Sequence, residues 1–381
     1  MGRKSWAIIV FIAAAFGGIG AANAQSGGGD QNASRPASLA EQLNANNVTV
    51  ISGNPNGTYL YFAYDMSSVL DDPASLRVLP MVGKGAAQNT KDLLYLRGID
   101  MGITQSDILR HFKQTGEMGA DIATRLRYIT RLYNEEMHVL GQADIVGIED
   151  LRGKKVNFGD AGSGTQISSG LIFNALGVTV EEVNLDQAEA FEALKRGEIA
   201  ATVLFGGKPT AAFAQFDPGA KTFKFIEIPY TSELLDEYLP AQLTHGDYPD
   251  LIPPDESIDT VAVGSVLAVF NWAPDSDHYR RVATFTRALF ENFEKFMQKP
   301  RHPKWREVNL AAELPGWQRF GAAQEMLEKR RSALAENRPG GGTTSISTDI
   351  APTSSLLDLD ARQRDELFRD FMDWQAKQQT R

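Results

Sequence analysis

The sequence predicts an α/β fold made of two lobes joined by two hinge strands. Three observations point to it. Apolar strands, glycine bends and amphipathic helices alternate with joins of only a few residues. The alternation stops and restarts once, midway along the chain. Two apolar segments belong to neither run. Short strand–helix joins imply parallel strands covered by helices on both faces, and the restart implies a second lobe built the same way.

In the first run VTVISG (48–53) leads through Asn54, Pro55, Asn56 and Gly57 to a helix from Thr58 to about Leu70. LRVLPMV (76–82) leads through Gly83-Lys84-Gly85 to a helix from about Gln88 to Leu96, closed by Gly98. IDMGIT (99–104) ends at Gln105-Ser106-Asp107. In the second run KVNFG (155–159) leads through Asp160-Ala161-Gly162-Ser163-Gly164 to a helix ending at Gly177. VEEVNL then leads to the helix AEAFEALKRG, and IAATVLF (199–205) ends at Gly206-Gly207-Lys208-Pro209, with Pro209 suited to the first position of a helix. The runs share a local pattern: a helix closes at Arg97-Gly98 in one and at Arg196-Gly197 in the other, each followed at once by an apolar strand.

The two unplaced segments, EMHVLG (136–141) and TVAVGSVLAVF (260–270), flank the second run and are expected to cross between the lobes. The first lobe is then discontinuous, residues 46–137 plus 271–338, and the second spans 138–270 with a hinge strand at each end. A long helix from Ser276 to Met297 returns to the first lobe. Ser276 or Asp275 can cap it, and Val282, Phe285, Leu289, Phe293 and Phe296 fall on one face.

The ends carry other signals. Arg3 and Lys4, an apolar run from Trp6 to about Ile19, and Ala22-Asn23-Ala24 read as a secretory signal peptide, residues 1–24, cleaved after Ala24 to leave a protein of a bacterial periplasm. Residues 25–45 open with a Gly-, Ser- and Asn-rich tether, and 339–355 is a second linker. Residues 356–381 return to helical spacing, with Leu367, Phe368, Phe371 and Met372 on one side; this helix either docks on the body or binds a partner. There is no cysteine, which excludes a disulfide, a thiolate metal site and a cysteine nucleophile. The formal net charge is −10; residues 1–24 hold two basic and no acidic groups, so the remainder carries −12. That charge argues against a nucleic-acid partner.

In an open parallel sheet, ligands sit beyond the carboxyl ends of the strands. Helix N-termini gather there, with unpaired N–H groups and a partial positive charge that favour an anion. Gly162-Ser163-Gly164-Thr165 and Asn56-Gly57-Thr58-Tyr59 both have this character. The first is no nucleotide loop, because no Gly-Lys-Ser/Thr follows, and DAGSG places its serine one residue late for a nucleophile elbow. Ser163 with Gln166 forms a capping box, and the same bend offers N–H groups to a carboxylate. Ser106 or Asp107 can cap the helix after the third strand; Asp107 can instead face the cleft and take an ammonium. Lys84 and Lys208 are either solvated or ligand contacts, and Tyr59, Tyr61 and Phe205 either wall a pocket or fill core. His111, His138, His245, His278 and His302 form no HExxH or other close metal pair, His138 being packed in the hinge, and no catalytic set emerges. The sequence reads as a binder without cofactor or metal, not an enzyme.

Taken together, Gly57-Thr58-Tyr59, the Gly83–Thr90 bend and helix, Gln105-Ser106-Asp107, Leu132-Tyr133, Asp150–Val156 (DLRGKKV) and Gly162–Thr165 resemble the TAXI family of solute receptors. These are the periplasmic binding subunits of tripartite ATP-independent periplasmic (TRAP) transporters. The likeness covers about Val48 to Pro315. It implies a periplasmic binding protein type II-like fold that closes on a small organic acid or amino acid, such as glutamate or a dicarboxylate. The partners it implies are the TRAP membrane subunits. By motif match the ligand contacts fall on Gly57, Thr58, Tyr59, Gln105, Asp107, Ser163, Gly164 and Thr165. Asn54, which replaces a family glycine, and Phe205 at the end of its strand complete the candidate set. After Tyr59 the family's Pro-x-Gly is replaced by Leu60-Tyr61-Phe62. An alternative is a periplasmic sensor that docks to a signalling partner through the C-terminal helix.

Overall fold

The structure, a computed structural model, describes residues 38–39, 44–55, 57–72, 74–219 and 222–336. The expected signal peptide (1–24), nearly all of the 25–45 tether, the 339–355 linker and the helix at 356–381 lie outside the described residues.

The first run folds as strand β1 (Asn47–Ile51), helix α1 (Thr58–Leu70), β2 (Arg77–Met81), α2 (Ala86–Tyr95), β3 (Met101–Gln105) and α3 (Ser106–Thr115). β1 pairs in parallel with both β2 and β3. A short turn, α4 (Ile122–Arg125), precedes the long strand β4 (Leu126–Gln142). The second run is β5 (Lys155–Asn157), α5 (Gly164–Ala175), β6 (Glu181–Val183), α6 (Gln187–Arg196) and β7 (Ala201–Gly206), with β5 parallel to β6 and β7. After α7 (Ala211–Ala214), β8 (Phe223–Phe225), α8 (Ser232–Leu235) and β9 (Leu239–Thr244) comes the second long strand, β10 (Ser257–Phe270). Helices α9 (Asp277–Glu291), α10 (Phe293–Phe296) and α11 (Gly321–Glu336) complete the chain. Gly98 and Gly197, the shared helix stops, both adopt positive φ, +86° and +75°, a conformation glycine reaches without strain.

The expected crossing segments prove longer than the sequence suggested, and they join all strands into one sheet. Its order is β2-β1-β3-β10-β4-β7-β5-β6. β4 pairs antiparallel with β10 from Leu126 to Glu136 and with β7 from Glu136 to Gly141. β10 pairs with β9 through Ala262, and with β3 from Ser265. Both long strands thus change neighbours at the same level, where the register is interrupted between Gly264 and Val266. The buried apolar residues divide there too. One cluster draws on residues 48–133 and 266–327, the other two on residues 137–263.

The helix expected from Ser276 to Met297 begins as predicted, with Ser276 Oγ accepting from Tyr279 N–H at 3.1 Å, but it breaks at Asn292. There the side-chain amide donates to the Ala288 carbonyl at 2.9 Å, and the residue leaves helical geometry at φ −101°, ψ 14°. Asparagine competes with the backbone for such bonds. Pro209 is not the first residue of a helix: it follows Lys208 through a cis peptide bond, and Thr210 caps the short α7.

The segment after α10 closes onto the sheet through buried charge. Asp65 of α1 accepts from Trp305 Nε1 and from His302 N–H, each at 2.9 Å, and the Trp305 ring stacks on Phe62 at 4.2 Å. This seats Lys304, whose Nζ lies 2.6 Å from Glu136 Oε1 and 2.8 Å from Glu307 Oε1. The other Glu136 oxygen accepts from Lys208 N–H at 2.9 Å. Removing one member of a buried ion pair leaves an uncompensated charge and costs about 3–5 kcal/mol. Lys304→Met is therefore expected to lower the urea midpoint by a corresponding amount, and adding Glu136→Gln is expected to recover a large part of it. Equal stability of the single and double variants would contradict this.

Candidate functional site

Five helices begin where the parallel strands end, and their first residues face one cavity of about 80 Å³. α1 contributes Gly57, Thr58 and Tyr59; α2 contributes Gly85 and Ala86, with Lys84 before them; α3 contributes its N-terminal flank, Gln105; α5 contributes Ser163, Gly164 and Thr165; and α6 contributes Gln187. Tyr133 and Glu135 of β4, Asp160 of the bend after β5, and Leu204, Phe205 and Gly206 of β7 complete the wall. A neighbouring chamber of about 210 Å³ shares Asn54, Thr58, Asp160 and Phe205 and extends to Asp186, Thr210 and Ala212.

The caps explain what these helix ends can do. α1 and α2 start from Gly57 and Gly85 and α3 from Gln105, and none of the three receives a side-chain cap. Within those first turns Leu60 N–H donates to the Gly57 carbonyl, Gln88 N–H to the Gly162 carbonyl and Ile108 N–H to Asp107 Oδ1; the amides before them keep hydrogen-bonding capacity for an acceptor in the cavity. α5 is capped: Ser163 Oγ accepts from Gln166 N–H at 3.1 Å. The expected reciprocal bond shifts by one residue, because Gln166 Oε1 accepts from Gly162 N–H at 2.6 Å rather than from Ser163. Gly159 and Gly162, at φ +77° and +80°, shape this bend. The Ser163 and Thr165 hydroxyls each act as acceptors, Thr165 Oγ1 for Phe205 N–H at 3.2 Å, so each keeps its proton for another partner.

The floor is acidic. Glu135 is 2% exposed. Its Oε1 accepts from Tyr59 OH at 2.7 Å and its Oε2 from Gln105 Nε2 at 3.0 Å. Burial is the main reason its carboxyl is pushed up to about 8. Burial, then the nearby Glu135 charge, also raises the Tyr59 phenol well above its ordinary value. Lys84 is exposed at the rim, and Asp160 is half-buried.

Nine of the ten residues singled out from sequence line this cavity: Asn54, Gly57, Thr58, Tyr59, Gln105, Ser163, Gly164, Thr165 and Phe205. Asp107 is not brought there. Its carboxylate turns instead to Ser168 Oγ at 2.6 Å and Tyr238 OH at 3.2 Å, and burial raises its pKa. Asp107 is not the N-cap of α3, though its Oδ1 accepts from Ile108 N–H in the first turn at 2.8 Å. It ties the first half of the molecule to the second, beside an Arg110–Glu237 pair at 2.6 Å and a Gln88 N–H to Gly162 carbonyl bond at 3.1 Å. Tyr61 faces outward at 46% exposed, and Lys208 is spent on the Gln242 carbonyl and Asp247. His138 is packed as expected, bonded through Nε2 to Tyr248 OH at 2.7 Å and stacked on Phe213; burial lowers its pKa to about 3. Sequence reading missed Glu135, Tyr133, Asp160 and Gln187. Among the described residues, no group of three or more His, Asp or Glu is placed to hold a metal ion, and no helix is long and apolar enough to cross a membrane.

The cavity thus lies at strand ends, beside the level at which the two long strands β4 and β10 change neighbours. The chain belongs to the NMT1-like family, whose sequence profile matches residues 51–316. Among solved structures it is similar to a protein of Bordetella bronchiseptica RB50, at 13% identity over 75% of this chain and 98% of that one, TM-score 0.46. It is also similar to the periplasmic binding protein BugD, at 14% identity over 76% and 95%, TM-score 0.45. A third is a TRAP periplasmic solute-binding protein of Shewanella oneidensis with bound succinate, at 11% identity over 76% and 85%, TM-score 0.41.

Two outcomes are expected from the geometry. A Cβ on Gly164 would overlap Gln105 Oε1 and come within 2.8 Å of Ala86 Cβ. Since Gly164 lies in the second half and its neighbours in the first, Gly164→Ala should wedge the halves apart. Small-angle scattering should then show a larger radius of gyration, and an unchanged radius would count against it. The second outcome concerns pH. With the native carboxyl at about 8 against an ordinary 4.5, the folded chain binds more protons than the unfolded one across that window. Stability from this group therefore falls as pH rises from about 4.5 to about 8. Glu135→Gln removes that loss, so its stability advantage over the unchanged protein should grow with pH in urea titrations and level off above about 8. A constant difference would contradict the assignment.

Proposed function

We propose that the protein is an extracytoplasmic solute receptor that captures a small carboxylate, a dicarboxylate or an amino acid such as glutamate, in the cavity between its halves. In this reading it belongs to the TAXI group, works in the periplasm after removal of residues 1–24, and delivers its solute to TRAP membrane subunits. We take residues 46–137 with 271–338 as one lobe and 138–270 as the other, the level at which β4 and β10 change neighbours acting as the hinge. Membership of the NMT1-like family and the export-type leader support the reading.

One observation carries it: the uncapped N-termini of α1 and α2 and the hydroxyls of Ser163 and Thr165 line the same cavity. Each helix N-terminus carries about half a positive charge. A carboxylate there meets several fixed donors whose orientation costs nothing further on binding. Closure of the lobes then excludes water from bonds that are stronger in a low dielectric.

The test is a thermal-shift panel on protein unfolded and refolded to strip any carried solute, with succinate, other dicarboxylates, amino acids, sugars and oligopeptides. A ligand at about a hundred times its dissociation constant adds about 2.7 kcal/mol, so an acid should raise the midpoint by several degrees while sugars and peptides leave it in place. Ser163→Ala and Thr165→Val should each weaken binding of the acid by about 1.5–3 kcal/mol, the usual worth of a hydrogen bond to a charged group. A folded protein that responds to no acid would overturn the function; unchanged affinity in both variants would overturn the site.

A further inference from the structure

Gln105 holds an unusual position. Its Nε2 donates to Glu135 Oε2 at 3.0 Å, while its Oε1 is buried without a hydrogen-bond partner among the described residues. That oxygen lies against the first residue of α5, where a Cβ on Gly164 would overlap it. An acceptor thus sits in the wall of the cavity that the reading above gives to a carboxylate, which is also an acceptor. The two ends of an amide are nearly the same size, so a half-turn of the Gln105 side chain is sterically permitted. The turn would present two N–H donors to the solute. It would also set Gln105 Oε1 against Glu135 Oε2, an arrangement that is favourable only when Glu135 carries a proton.

We propose that Glu135 and Gln105 form a proton-coupled recognition pair, in which protonated Glu135 holds the Gln105 amide with its N–H groups toward the solute carboxylate, so that binding takes up a proton from solvent. The inference rests on the receptor reading above and adds to it the ionisation of one residue.

The surroundings of Glu135 favour the neutral acid. From α1 it faces Tyr59, from the start of α3 Asp107, and from its own strand Tyr133 and Glu136. Asp160 lies across the cavity in the bend after β5, and Lys84, before α2, sits at the exposed rim. Opposite Glu135, β10 places Val263. Lys304 is taken up by Glu136 and Glu307. The charged groups that act on Glu135 most strongly are thus carboxylates, and burial already raises its pKa. In the neutral state the proton on Oε2 goes to Gln105 Oε1, Tyr59 OH keeps its bond to Oε1, and the orphaned amide oxygen gains a donor. An ammonium-bearing solute lodged on Glu135 would do the reverse: it would require the ionised carboxylate and expel a proton.

The experiment is isothermal titration of the unmodified protein with succinate, and separately with glutamate, in two buffers of different ionisation enthalpy. The difference in heat counts protons exchanged. At a pH near the Glu135 midpoint about half a proton should be taken up per site, falling toward zero about two pH units lower. Affinity should fall up to tenfold per pH unit above about 8. Glu135→Gln should abolish both the proton count and the decline. Because the count is read on the unmodified protein, it stands whether or not the variant folds. Proton release, or binding with no exchange, or an unaltered pH profile in a folded Glu135→Gln protein, overturns the proton-coupled pair and leaves the receptor intact. Absence of heat with either solute, together with no response in the thermal panel, overturns the receptor reading and the pair with it.

Discussion

The antiparallel pairing of β4 with β10 is the constraint to which the rest of the molecule is referred. Each strand is long enough to serve both halves, and each changes partners at the same level. Two separate sets of buried apolar residues result, one on either side of that level, yet the hydrogen-bond ladder is not cut. Parallel strands on both sides end beside this level, so the helices that follow them begin there. The cavity is a consequence of that topology before it is a consequence of any side chain.

The side chains then refine what the topology provides. Glycine at Gly57 and Gly85 leaves first-turn amides without a competing side-chain cap, whereas Ser163 caps its own helix and still has a proton to give. Strand alternation sends Tyr133 and Glu135 to the cavity and Glu136 to the opposite face, where Lys304 meets it. Two adjacent glutamates thus live in different electrostatic worlds: one is paired with a buried lysine, while the other meets hydroxyl and amide donors but no cation among the described residues. Polar groups sealed in this way strengthen one another when satisfied and are costly when not. The unpaired Gln105 oxygen is the place where that cost is visible.

Much of this was legible in the sequence. The alternation of strands and helices, the glycine bends and the start of α1 at Thr58 follow from local rules, because short joins and helix caps depend on neighbours only. What failed depended on contacts distant in the chain. Asp107 follows Gln105 by two residues, but the first turn of α3 carries its side chain away from the cavity and toward Ser168 and Tyr238, respectively 61 and 131 residues on. Glu135 opens no bend and caps no helix, so local rules do not single it out. The signal was present: a carboxylate in the middle of a strand as buried as β4 needs a partner or a function, and its two-residue spacing from Tyr133 places both on one face. The apolar face of the long helix follows from its periodicity, but the break at Asn292 comes with a side-chain bond that periodicity does not report.

The account stands or falls on where an acid sits. The most direct measurement is a crystal structure of the protein grown with the acid that gives the largest thermal shift. The account predicts its carboxylate within hydrogen-bond distance of the first-turn amides of α1 and α2 and of the Ser163 and Thr165 hydroxyls, with Gln105 reaching it from the floor. An acid bound elsewhere on the molecule, or lodged in this cavity with its carboxylate turned away from the helix N-termini, would contradict it.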